Sequence, residues 1–217
     1  MRRSALLLGL VLALGACAAD PTPTPKPACP TAAPTAVEAQ AILQDAAVAT
    51  VTVSGGATGS FAIELFGDAA PVATANFVNL ARCGYYDGVT FHRVIAGFVI
   101  QAGDPQTRSN RGDFGGLGTG GPGYEFGIEP PAEGLRYDPY VVAMANDGRT
   151  NGGQFFIDLV DLSGSLPRSY TIFGEVTVGT EVVDAIGTVP VNDPRVGVPL
   201  TPVIIDSIVV SAEPPEG

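Results

Sequence analysis

Tryptophan is missing altogether from the 217 residues, and lysine and histidine occur once each, as Lys26 and His92. Whole mechanisms drop out with them. A phosphate-binding loop needs its lysine behind a glycine-rich turn, whereas Lys26 lies among prolines. A Schiff base is equally unsupported. His92, Cys29 and Cys83 show no ligand spacing, so no metal and no cofactor is expected. Basic residues number 11 against 22 acidic ones, and the average surface field therefore repels a phosphate backbone. Nucleic acid is not an expected partner. Charged residues of both signs reach only 15%, too few for long solvated helices.

What the chain does have is apolar bulk and turns. A hydrophobic content of 46% supports one sizeable buried core, and 28 glycines with 19 prolines favour short strands joined by many turns. The expected class is mainly β.

Arg2 and Arg3 precede an apolar run from Ala5 to Ala16 that is too short to span a bilayer comfortably and ends in Leu14-Gly15-Ala16-Cys17. This reads as an export signal, and its ending resembles the bacterial lipoprotein signal, whose cysteine receives lipid. Residues 1–16 are then a signal peptide and Cys17 is the lipid attachment. The expected location is the bacterial cell envelope, outside the cytoplasm, touching membrane through the anchor alone. An ordinary cleaved signal with a chance cysteine is the alternative. Residues 17–36 follow as a Pro/Thr-rich tether in which Pro21, Pro23, Pro25, Pro27, Pro30 and Pro34 fix φ and remove amide donors. In polyproline II such a segment reaches roughly 50 Å. Cys29 and Cys83 are read as independent thiols, with Cys83 at a helix end; an oxidising compartment also permits a bridge between tether and domain.

From residue 37 to 217 the patterning is that of one domain. Val37–Ala47 reads as a short helix, and a second helix starts at Pro71, presents Ala73, Phe77 and Leu80 on one face and stops at Gly84. Strands are expected at Ala49–Val53, Ser60–Phe66, Val89–Ile95, Phe98–Ala102, Val141–Ala145, Gln154–Leu159, Tyr170–Val176 and Val203–Val210, with a further helix over Thr180–Ile186. Alternation along the third of these strands puts Phe91, Arg93 and Ile95 on one face and His92 and Val94 on the other. This density of strands points to a sandwich or a closed barrel.

Chemical motifs are weak on their own. The cluster from Gly115 to Gly123 contains a formal GxGxxG at Gly118, but Pro122 intrudes and Tyr124-Glu125-Phe126 looks extended, so it reads as a shaped loop. No Gly-x-Ser-x-Gly elbow exists, and His92 reads as a hydrogen-bonded structural histidine. Glu125, Glu129, Glu133 and Asp138 fit no calcium loop and read as a solvated acidic rim.

Longer blocks carry more. FHRVIAGFVIQAGDP at Phe91–Pro105, ANFVNLARCGYYDGVTFHR at Ala75–Arg93, MAND at Met144–Asp147, NGGQFFI at Asn151–Ile157 and YTIFGEV at Tyr170–Val176 occur in order. Together they closely resemble the cyclophilin family of peptidyl-prolyl isomerases, over about residues 48 to 210. The resemblance implies a closed antiparallel barrel of about eight strands capped by two helices, with the groove on its outer wall. It assigns Arg93 as the catalytic residue and Phe98, Phe156 and Leu166 as the floor of a proline pocket. Val99 takes the pocket position usually held by methionine. Gln101 matches the glutamine beside the arginine, Asn146 with Ala145 matches the segment whose backbone holds the substrate chain, Gln154 lies along the same groove, and Tyr170 occupies a position often given to histidine or tyrosine. The implied partners are proline-containing polypeptides, and a monomer is the default. A non-catalytic holdase or docking module on the same fold is the rival reading. A two-lobed solute-binding lipoprotein needs more chain than remains after the tether.

The family pattern is also broken in places. Ser165 stands where many cyclosporin-sensitive members carry tryptophan, Pro167 and Arg168 replace the usual turn, and Asp147 stands where a small residue is common, a bias toward cationic flanks. With that tryptophan gone, cyclosporin is expected to bind weakly; an inhibition titration checks this, and a nanomolar constant would refute it.

Overall fold

The computed structural model describes residues 25–109 and 117–213. The signal segment, Cys17 and the start of the tether lie outside the described residues, as does the front of the glycine cluster.

Nine strands are found among the described residues: β1 (Val48–Gly55), β2 (Gly59–Leu65), β3 (Arg93–Ile95), β4 (Val99–Ala102), β5 (Phe126–Gly127), β6 (Val141–Asn146), β7 (Thr150–Asp158), β8 (Ile172–Val178) and β9 (Val203–Ser211). They pair antiparallel in the order β3-β4-β7-β6-β8-β2-β1-β9, with β5 beside β7. Register shifts at Thr52/Val53, Ala62/Ile63, Val142/Ala143 and Met144/Asn146 add the local bend that lets the sheet curl. Its two ends then meet. Thr90 bridges Ile204, the Phe91 amide donates to the Val203 carbonyl at 2.9 Å, and Gly88 and Val89 exchange bonds with Ile205 at 2.8 Å. The expected antiparallel barrel is the fold.

The interior follows from alternation. Ala49, Val51 and Val53 of β1 point inward, as do Phe155 and Ile157 of β7. Phe77, Tyr86, Phe155 and Phe173 meet ring to ring at 5.0–5.6 Å in the middle. Phe77 comes from α2 (Pro71–Arg82), and Val183 and Ile186 come from α3 (Thr180–Gly187). A short α1 (Ala36–Ile42) precedes the barrel, started by a reciprocal capping box between Thr35 and Glu38.

Five sequence expectations are corrected. Residues 91 and 92 lie outside β3, so alternation does not carry through them: Phe91 and Val94 both enter the core, while Arg93 faces outward. The lower tether is not free. Cys29 is disulfide-bonded to Cys83, Lys26 pairs with Asp87, and Pro34 is buried, which lays residues 26–35 on the domain. The two cysteines are therefore not independent thiols. The acidic rim is not simply solvated either. Ala70 offers no side-chain cap to α2, and the Glu129 carboxylate accepts from the Val72 and Ala73 amides at 3.0 and 2.8 Å instead. Finally, neither ring nitrogen of buried His92 finds a hydrogen-bond partner among the described residues. Burial lowers its pKa, with the Asp104 charge opposing, and the ring stays neutral.

A second apolar cluster lies on the outer wall: Val99, Tyr137, Val141, Ala143, Phe156, Leu162 and Ile172. Asp158, the Cα partner of Val99, is fully buried and neither carboxylate oxygen is hydrogen-bonded among the described residues. Burial, with Asp138 and Asp161 nearby, raises its pKa to about 8. The folded chain thus holds this proton more tightly than the unfolded one, and stability falls as pH rises from about 4 toward that value. Asp158→Asn is expected to raise the urea midpoint at pH 8.5 and to flatten its decline between pH 5 and pH 8.5, read from unfolding curves at both values.

Candidate active site

Cross-strand register assembles the site. Arg93 of β3 lies opposite Gln101 of β4, Gln101 opposite Phe156 of β7, Phe156 opposite Ala143 of β6, and Ala143 opposite Ile172 of β8. Residues paired this way share one face, so a single row of side chains crosses five strands on the outer wall. The turn between β3 and β4 passes through Gly97 at φ +69°, a conformation that favours glycine, and returns the chain so that Phe98 stands beside Arg93.

Arg93, Phe98, Val99, Gln101, Ala145, Asn146, Phe156, Leu166 and Tyr170 line one hollow of about 300 Å³. Phe156 is its buried floor and meets the Tyr170 ring edge-on at 5.3 Å. The Arg93 guanidinium carbon lies 5.6 Å from the Phe98 ring centroid, which steadies the cation over an aromatic face. Among the described residues Arg93 has no carboxylate within ion-pair distance, unlike Arg82, Arg136, Arg149 and Arg195. Its charge is unneutralised at the lip of the hollow.

Gln154 lies outside this hollow and lines a larger neighbour of about 760 Å³, which shares Gln101, Ala145 and Asn146 with it. Gln154 Oε1 accepts from Gln101 Nε2 at 2.9 Å, and its own Nε2 donates to the Gly120 carbonyl at 2.8 Å. Asn146 is also committed. Its Nδ2 donates to Asn151 Oδ1 and to the Ser169 carbonyl, and its Oδ1 accepts from the Gly148 amide. That side chain holds the β6–β7 turn against the loop before β8.

Some determinants escape sequence reading. Arg168 donates to the carbonyls of Pro131, Ala132 and Leu135, pinning the loop that carries Leu166. The buried Tyr137 hydroxyl lies 3.0 and 2.9 Å from the Pro167 and Tyr170 carbonyls and braces the same loop. Their bracing roles are not legible locally, because their partners are some 30 positions away. Asp147 needs a correction as well: its carboxylate takes the Arg149 guanidinium at 2.7 and 3.1 Å, so the exposed rim gains little negative charge from it. Burial raises the Tyr124 pKa to about 12, so this phenol stays neutral.

The arrangement combines an apolar slot with one fixed cation, and no nucleophile–base pair lines it among the described residues. It suits binding and electrostatic stabilisation of a neutral, ring-bearing chain, without a covalent step.

Residues 48–210 match the family of cyclophilin type peptidyl-prolyl cis-trans isomerases. Mycobacterium leprae has a probable peptidyl-prolyl cis-trans isomerase A that is 44% identical over 174 residues, covering 70% of this chain and 87% of that protein. Peptidyl-prolyl cis-trans isomerase B of Streptomyces anulatus is 44% identical over 170 residues, or 70% and 91% of the two chains. A crystal structure of a cyclophilin type peptidyl-prolyl cis-trans isomerase from Cryptosporidium parvum superposes with a TM-score of 0.66 at 32% identity, covering 78% of this chain and 99% of that one. The same protein has been solved in the presence of the dipeptide Ala-Pro, at a TM-score of 0.65, covering 76% and 99%.

Proposed function

The chain belongs to the cyclophilin-type peptidyl-prolyl cis-trans isomerases and is an enzyme of that activity, and on this premise we propose that Arg93 is its catalytic residue and that it serves exported proteins outside the cytoplasm. The observation that carries the catalytic part is a guanidinium without an ion-pair partner among the described residues, beside a slot floored by Phe156 and flanked by Phe98.

Rotation about an X-Pro bond is slow because amide resonance must be broken, at a barrier of about 20 kcal/mol. At the twisted transition state the prolyl nitrogen becomes pyramidal and regains a lone pair. A donor aimed at that nitrogen binds the twisted state better than either planar isomer, and lowers the barrier by the difference. Arg93 is such a donor, and a guanidinium donates through fixed N–H groups without a proton transfer, so no acid or base has to be tuned. The proline ring sits on Phe156 with Val99, Leu166 and Tyr170 around it, while Gln101, Ala145 and Asn146 border the path of the substrate chain.

Two observations support a place in the cell envelope, with Cys17 as anchor. Leu14-Gly15-Ala16-Cys17 has the form of a lipid-attachment signal, and the Cys29–Cys83 bridge suits an oxidising compartment. The bridge would also shorten the tether, bringing the domain nearer to lipid.

Exchange of an Ala-Pro peptide with the purified chain tests the assignment. Arg93→Ala is expected to lose about 10²-fold in rate, the scale of one preorganised donor. Equal rates in the two chains would sink the assignment of Arg93, and no acceleration by either would leave a binding module on an isomerase fold.

A further inference from the structure

We propose that Asp104, which lines neither hollow, is a positioning residue for the isomerisation and sets the orientation of Arg93 through a relay of three groups. The proposal rests on the reading of Arg93 as the donor. Asp104 follows β4 and is fully buried, and no cation pairs with it among the described residues. Its carboxylate collects three backbone amides. Oδ1 accepts from Gln106 at 2.9 Å, and Oδ2 accepts from Gly118 at 2.7 Å and Gly120 at 3.2 Å. A carboxylate is the side chain that accepts on every side, and here it fastens an exposed glycine loop to the barrel wall. Glycine at 120 is required for that approach, since a Cβ there would overlap Asp104 Oδ1.

The fastened loop has a direction to impart. The Gly120 carbonyl can only accept, so Gln154 must turn its Nε2 toward it, as observed at 2.8 Å. That leaves Gln154 Oε1 facing Gln101, which must answer with its own Nε2, as observed at 2.9 Å. Gln101 then keeps its oxygen available to accept, and its Cα partner across β3 and β4 is Arg93, which can only donate. One carbonyl thus fixes the sense of two amides that would otherwise be free to flip, and the last of them belongs to the residue paired with Arg93 across the strands and lining the same hollow. Such a chain acts on the aim of the donor and leaves the Phe156 floor untouched. It therefore belongs to the transition state rather than to peptide binding.

Two variants of the full chain reach the relay from opposite ends. Asp104→Asn replaces one accepting oxygen with a donor, and Gly120→Ala pushes the loop off an intact Asp104. On-enzyme exchange and affinity for an Ala-Pro peptide are measured by NMR, alongside the side-chain nitrogen signals of Gln101, Gln154 and Arg93. Each variant is expected to slow exchange about tenfold with peptide Kd held within about twofold, and to shift all three signals. If Asp104→Asn fails to fold, Gly120→Ala alone decides. Unchanged exchange, an unmoved Arg93 signal, or losses in rate and affinity that run in parallel would overturn the proposal. Arg93→Ala separates the two levels. Full rate in that variant sinks the reading of Arg93, whereas an inactive Arg93→Ala beside fully active Asp104 and Gly120 variants sinks the relay alone.

Discussion

The antiparallel register that sets Arg93 opposite Gln101 and Gln101 opposite Phe156 is the constraint on which the rest of the groove depends. A slip of one residue in either pairing would send every one of these side chains to the other face of the sheet. The register is held from inside. Ile100, Phe155 and Ile157 occupy the intervening positions and are locked into the aromatic core, so burial of one face fixes the chemistry on the other. The barrel wall is a two-sided object, with a stabilising interior and a working exterior made from alternate residues of the same strands.

The exterior is unusual in carrying a small core of its own. Val99, Phe156 and Leu162 are nearly as buried as the residues inside the barrel, because the segments around Tyr137 and Leu162–Tyr170 fold back over the wall. That covering gives the apolar slot a rigid floor, with Arg168 and Tyr137 tying the cover down through backbone carbonyls. It also traps Asp158 without a hydrogen-bond partner among the described residues, a charge-bearing group placed where ionisation opposes packing. Stability and pocket shape are coupled at this point of the fold.

Local patterning carried much of this architecture. Alternation of Val51, Val53, Phe61 and Ile63, the start at Pro71 and the stop at Gly84 announce strands and a helix whose observed bounds differ by a residue or two. Residue types at the groove were readable because the motif blocks are contiguous. Long-range pairing was not readable. The bridge between Cys29 and Cys83 spans 54 positions, Glu129 caps a helix more than 50 positions earlier, and Asp104 gathers amides from a glycine loop beyond it in the chain. Phe91 shows the complementary failure. Period-two alternation presumes a continuous strand, and the chain leaves that conformation at residues 91 and 92 to close the barrel against β9.

A guanidinium that favours the twisted amide over both planar forms should separate catalysis from binding. Arg93→Lys keeps the charge but loses the planar fork. Exchange spectroscopy on a saturated Ala-Pro peptide reads both quantities at once. Interconversion on the enzyme is predicted to fall by at least about tenfold while the affinities for the cis and trans peptides stay within about twofold. Retained interconversion, or a loss of affinity that accounts for the whole loss of rate, would contradict the account.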